Sequence, residues 1–213
     1  MPLAPPTRYD DVARTDWFYD DVEYVSEKGL MIGTGYRIFS PRISMSRAML
    51  VTVLYRLEGE PEANLEAEPK ADTETDTNRE PEAEIHHPKF TDIVESGWYY
   101  KAVIWAANNG IVEGYSNEIF GLNDPITREQ TVAILYRYAK RKELDTSAVT
   151  DLSGFSDTDE ISDWALDAVK WAVAERIIKG PTTTSAAPKG TSTRAEVAAI
   201  FRRYAEGFLS IEK

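Results

Sequence analysis

The chain contains no cysteine, which excludes disulfides and thiolate metal sites together. Histidine is nearly absent, with one adjacent pair at His86-His87. Nowhere do about 18 apolar residues run consecutively, so no membrane-spanning helix is expected. The N-terminus, Met1-Pro2-Leu3-Ala4-Pro5-Pro6, lacks a basic segment followed by an apolar stretch, so no signal peptide is expected within this chain. A Ser/His/Asp set and a phosphate loop are also missing, which leaves an enzyme with little support.

Positive charge is scarce as well. Lys and Arg total 24 against 36 Asp and Glu, a formal net charge of −12. That sign argues against a general nucleic-acid binder. The imbalance is local. The stretch from Glu60 to Glu84 holds ten acidic residues, with only Lys70 and Arg79 opposing them, so it carries −8 and the rest of the chain −4. Arginine clusters elsewhere can therefore still attract an anion.

Residues 60–89 are rich in Glu, Pro, Thr and Asp, with Leu65 and Ile85 their only large apolar residues. Such a segment cannot bury enough surface to offset its ordering entropy, and it reads as a flexible acidic insertion. The paired histidines lie at its end. With no third ligand nearby, a solvated pair is favoured over half a metal site. No metal and no cofactor are expected.

What the chain does have is one helix start used three times. Thr193-Arg194-Ala195-Glu196 reads as a capping box, in which the threonine hydroxyl and the glutamate satisfy each other's backbone N–H. Thr127-Arg128-Glu129-Gln130 keeps the box with Gln130 in the glutamate's place. Ser46-Arg47-Ala48-Met49 keeps the serine cap but cannot close the box. Arginine stands at all three starts, although a cation in the first turn opposes the helix macrodipole. A residue repeated against local electrostatics needs another role, and holding an anion is the role proposed for it.

Spacing turns this likeness into a repeat. Trp17 to Gly33, Trp98 to Gly114 and Trp164 to Gly180 are each 16 residues, while Trp17 to Arg47, Trp98 to Arg128 and Trp164 to Arg194 are each 30. The chain divides into residues 1–59, the insertion 60–89, residues 90–143 and residues 144–213. Each unit opens with a short lead-in (Tyr9–Val12, Phe90–Ile93, Phe155–Thr158). A tryptophan-led amphipathic helix, a glycine-containing loop and the arginine-led helix follow. Three all-α units of this size would bury their apolar faces on one another, as a linear stack or a closed three-fold cluster. Residues after about 206 read as a loose end.

With these residues in view, the chain resembles the S-layer homology family. The second unit carries Phe90-Thr91-Asp92-Ile93, Trp98, Gly110–Gly114, Ile126–Glu129 and Leu135-Tyr136-Arg137. The third carries Ser192–Glu196, and the first Met45–Ala48 with Leu54-Tyr55-Arg56. The resemblance implies an all-α pseudo-trimer of three helix-loop-helix repeats around a central three-helix bundle. It also implies a non-catalytic cell-wall anchor that binds secondary cell-wall polysaccharide, often through a pyruvate ketal on N-acetylmannosamine, in grooves between repeats. Carried over by position, the groove residues are Arg47, Arg128 and Arg194, Trp17, Trp98 and Trp164, and Gly33, Gly114 and Gly180. The capping residues are Ser46, Thr127, Gln130, Thr193 and Glu196. The implied partner is an anionic cell-wall polysaccharide, with no nucleic acid and no membrane. The chain would be a monomeric part of a larger exported protein at the cell surface.

Structural readings stand beside these. Each arginine could instead pair with a neighbouring repeat's acid, Asp92 or Asp157 for example. The tryptophans are favoured as core residues, the glycines as turn residues, and Arg56, Arg137 and Arg203 as structural. Arg176 replaces Gly29 and Gly110 and predicts a different helix end in the third unit. Ala186 replaces Phe39 and Phe120, and Pro181–Thr184 lacks the aromatic of Tyr36 and Tyr115, so the third groove is the most divergent. A helical protein-interaction scaffold is the competing function.

Overall fold

The computed structural model describes residues 7–62, 90–116, 118–180, 182 and 184–209. Most of the acidic insertion, with Leu65, Ile85, His86 and His87, lies outside the described residues. So do Asn117, Pro181, Thr183 and the residues beyond Leu209.

Six α-helices are described: α1 Tyr19–Glu27, α2 Arg47–Leu57, α3 Tyr100–Asn108, α4 Arg128–Arg141, α5 Leu166–Ala174 and α6 Arg194–Phe208. There is no β-strand among the described residues. The caps on the second helices follow from the sequence. Ser46 accepts from the Met49 N–H, and Thr127 with Gln130 and Thr193 with Glu196 form complete boxes. The last helix continues past residue 206, since Phe208 stacks on Tyr204 and leans on Trp171. The expectation of a loose end from about residue 206 is corrected to that extent.

Helices of nine residues are marginal in isolation, and the stabilising contacts cross between units. The first helix of each repeat packs on the second helix of the preceding one: α3 on α2, α5 on α4, and α1 on α6. The last pairing closes the cycle, which decides against a linear stack. Backbone hydrogen bonds repeat the closure. Met45 N–H donates to Ser192 O, Ser192 N–H to Ile126 O, and Ile126 N–H to Met45 O, at 2.8–2.9 Å. Each of these residues lies two positions before a second helix, and all three are fully buried. At the far ends of those helices, Tyr138 of α4 meets Tyr204 of α6, and its hydroxyl donates to Glu58, the C-cap of α2.

The first helices all end alike. Gly29 and Gly110 take left-handed φ values of 69° and 64°, and Arg176 takes 58°. Leu30, Ile111 and Ile177 then donate back to Val25, Ala106 and Ala172 at 2.8–2.9 Å. The expectation of a different third terminus is therefore corrected: packing of the buried isoleucine holds the bend even with a side chain in a conformation that suits glycine.

Candidate functional site

Arg47, Arg128 and Arg194 are the first residues of α2, α4 and α6, and all are buried, 5–6% exposed. Each guanidinium leaves its own repeat for the loop of the next. Arg47 donates from Nε to Phe120 O at 3.0 Å and from Nη2 to Glu113 O at 2.8 Å. Arg128 donates to Ala186 O at 3.1 Å and Lys179 O at 2.7 Å. Arg194 donates to Phe39 O at 2.8 Å and Ile32 O at 2.6 Å. These charge-assisted bonds outweigh the unfavourable dipole, which is worth at most about 1 kcal/mol on a surface. Burial pushes each guanidinium below its ordinary pKa, yet arginine stays charged in proteins.

The alternative pairing with Asp92 or Asp157 is not realised. Those carboxylates clamp their own repeat's loop. Asp92 accepts from Phe120, Gly121 and Leu122 N–H groups, Asp157 from Ala186 and Ala187, and Asp11 in the first repeat from Phe39 and Ser40. Burial raises the pKa of Asp92 and Asp157, but the amide donors more than offset it, and both sit below the ordinary 3.8. One arginine does meet an acid: Arg128 Nη1 lies 3.0 Å from Glu196 Oε1.

Open clefts lie beside two of the arginines. A cavity of about 310 Å³ is lined by Gly33 and Arg56 of the first repeat, Trp98 of the second and Arg194 of the third. Another, of about 360 Å³, is lined by Gly180 and Arg203 of the third repeat, Arg128 of the second and Trp17 of the first. The composition follows one rule. Each cleft joins the loop glycine and mid-helix arginine of one repeat, the helix-start arginine of the preceding repeat and the tryptophan of the following one. By the same rule Gly114, Arg137, Arg47 and Trp164 belong together, and Arg137 does act electrostatically on Arg47. The loop at Gly180, the most divergent in sequence, thus still borders a cleft.

The tryptophans depart from expectation. Trp17 and Trp98 precede α1 and α3, and Trp164 lies in a short 3₁₀ turn before α5. They are 65%, 63% and 55% exposed. Core packing is therefore wrong for all three. The residues that follow the first two, Phe18 and Tyr99, are buried instead and hold the indoles edge-on. Trp17 and Trp98 thus stand exposed at cleft edges and Trp164 is exposed at the matching position, an unusual state for rings whose burial is strongly favourable.

The glycines serve the loop first. A Cβ on Gly33 would lie 2.6 Å from Ile38 O, and one on Gly114 the same distance from Ile119 O; on Gly180 it would strike Ser185 O. Gly33 and Gly180 also line the clefts. Arg56 and Arg203, set aside as structural, line them too, while donating to Leu30 O and Ile177 O at 3.3 Å. Their recurrence at one repeat position, with Arg137, was the signal for them.

A cyclic three-repeat helical module with cation-lined clefts between repeats is the class that this geometry defines. The family described as the S-layer homology domain matches residues 8–48, 89–132 and 154–198, one segment per repeat and more than half of the chain. The chain belongs to the S-layer homology domain family. It is 31% identical over 192 residues to an endoglucanase of Bacillus sp. (strain KSM-635), covering 90% of this chain and 18% of that protein. It is 30% identical over 196 residues to an amylopullulanase of Thermoanaerobacterium thermosulfurigenes, covering 90% and 9%. It is 26% identical over 213 residues to the surface-layer 125 kDa protein of Lysinibacillus sphaericus, covering 97% and 16%. The chain spans less than a fifth of the length of these relatives. Family and relatives together support a cell-wall anchoring module at the cell surface.

Proposed function

We propose that the chain is the non-catalytic anchor of a larger surface protein, holding it to an anionic, pyruvylated secondary cell-wall polysaccharide. The observation that carries this reading is the convergence, in each of two clefts, of a buried arginine, an exposed tryptophan and a loop glycine from three different repeats. A pyruvate ketal presents a carboxylate, which a guanidinium fork recognises with directed hydrogen bonds. The indole offers a flat apolar face to the C–H side of a sugar ring. Clefts of a few hundred Å³ suit a unit of one or two sugars. The cyclic packing supports a three-fold pseudo-symmetric assembly with α2, α4 and α6 at its centre. It would present several weak sites to one polymer, which then act through effective concentration.

Pull-down of the chain by purified cell-wall glycan, before and after chemical removal of pyruvate, tests this. Capture is expected only from the pyruvylated glycan. Equal capture from both preparations would remove the carboxylate from the account. Failure with both, together with retention of surface proteins, would favour the helical interaction scaffold instead.

A further inference from the structure

The second helices carry different residues at their third position: Met49 in α2, Gln130 in α4 and Glu196 in α6. In the third-repeat cleft Glu196 is both cap and counter-ion. Its Oε2 accepts from Thr193 N at 2.7 Å and Thr193 Oγ1 at 2.8 Å, while its Oε1 accepts from Arg128 Nη1 at 3.0 Å. Every nitrogen of the Arg128 guanidinium thereby has a protein acceptor.

In the first-repeat cleft Met49 lines the wall where Glu196 stands in the third. A thioether is only a weak acceptor. Arg194 Nε and Nη2 are held by carbonyls, and among the described residues nothing accepts from its Nη1, although the residue is only 5% exposed. No ion pair forms at Arg194 among the described residues. Among the described residues, the one acid within ion-pair reach of the companion cation Arg56 is the exposed Glu60, at 3.7 Å, a contact that water and salt screen. Asp11 favours the charged form of Arg194 electrostatically without forming an ion pair with it. The first-repeat cleft therefore carries two guanidinium groups and lacks the carboxylate that the third supplies from its own helix. Arg47 resembles Arg194 in this respect: Nε and Nη2 are bonded and no acceptor for Nη1 is found among the described residues.

We propose that the residue at this helix position decides which clefts accept a carboxylate ligand. The Met49 cleft takes the acidic group of the glycan on Arg194, whereas Glu196 fills the Arg128 cleft with the protein's own carboxylate. The assignment rests on the anchoring function proposed above. In the third cleft an incoming acid must displace the Glu196 carboxylate from Arg128. In the first it meets an unanswered donor.

Isothermal titration of the whole chain with the methyl glycoside of pyruvylated N-acetylmannosamine, and with its pyruvate-free counterpart, tests the assignment in three proteins. Met49→Glu should weaken the pyruvylated sugar by about tenfold or more, or remove one site. Its thermal midpoint should hold or rise, because glutamate completes the Ser46 box. Glu196→Gln should keep its cap, as Gln130 does natively, and add a binding site. Wild-type binding of the pyruvylated sugar with no change in either variant would overturn the cleft assignment and leave the anchoring function standing. A wild type that binds neither sugar would overturn both.

Discussion

Arg194 and Phe39 meet twice: the guanidinium Nε donates to the Phe39 carbonyl at 2.8 Å, and its central carbon lies 4.5 Å from the centroid of the Phe39 ring. The residues are 155 positions apart. Arg47 treats Phe120 the same way, at 3.0 Å and 4.9 Å. In the third loop Ala186 supplies the carbonyl but no ring, and Glu196 supplies an ion pair instead.

These arginines therefore close the cycle of repeats as well as facing the clefts. Arg194→Lys should destabilise the fold by about 2–4 kcal/mol, since a lysine cannot serve two carbonyls and a ring face with one planar group. Urea unfolding monitored by circular dichroism measures this. A loss below about 0.5 kcal/mol would mean that the loop holds without the guanidinium. Alanine at these positions consequently confounds folding with binding, and the cleft wall is the cleaner place to intervene.

Trp98 is such a place. Its indole is mostly exposed and rests edge-on against Tyr99. Trp98→Ala should shift stability by less than about 1 kcal/mol while lowering glycan affinity by about tenfold or more. Paired unfolding and titration measurements read the two effects separately. Unchanged affinity would reduce the tryptophan to a bystander.

Arg176 holds a backbone conformation that glycine adopts at the same point in the other two repeats. Relief of left-handed strain, about 1–2 kcal/mol, exceeds the entropic cost of a glycine, about 0.5–1 kcal/mol. Arg176→Gly should raise stability by about 0.5–1 kcal/mol in chemical denaturation. A decrease would show that the arginine side chain contributes more than its backbone costs.

Acid should loosen the loops before it reaches the helices. The carboxyls of Asp92 and Asp157 lie below their ordinary value because backbone amides favour the charged form. A depressed folded-state pKa gives stability that is complete above the unfolded value of 3.8 and lost as pH falls through the lower folded value. The thermal midpoint should therefore drop as the pH falls below 3.8, and the drop should be shallower in Asp92→Asn, whose starting stability is lower. An identical slope in the variant would dissociate these clamps from acid sensitivity.

Helix starts, caps and the three-fold repeat were legible in the sequence because their determinants are local: Thr193 and Glu196 are three residues apart and bond only each other and the helix start, apart from one arginine. The destinations of the arginines were not, because Arg128 finds its carbonyl acceptors 51 and 58 residues away and its carboxylate 68 residues away. Spacing misplaced Trp17 and Trp98 onto helices, since a residue just before a helix continues the same period. The buried position belongs instead to the next ring, Phe18 or Tyr99. Residue type misjudged Arg176, where tertiary packing of Ile177 overrode backbone preference. Arg56 and Arg203 were visible as recurrences, but only the cavities reveal that each lines a cleft between repeats.

The ring of amide bonds through Met45, Ile126 and Ser192 has no first or last member. An open solenoid can be lengthened or shortened by one unit and capped; here, excising a unit strands a donor on one neighbour and an acceptor on the other, both in the dry interior. The copy number is thereby locked by valence, and melting should proceed as one indivisible event in place of fraying from an edge.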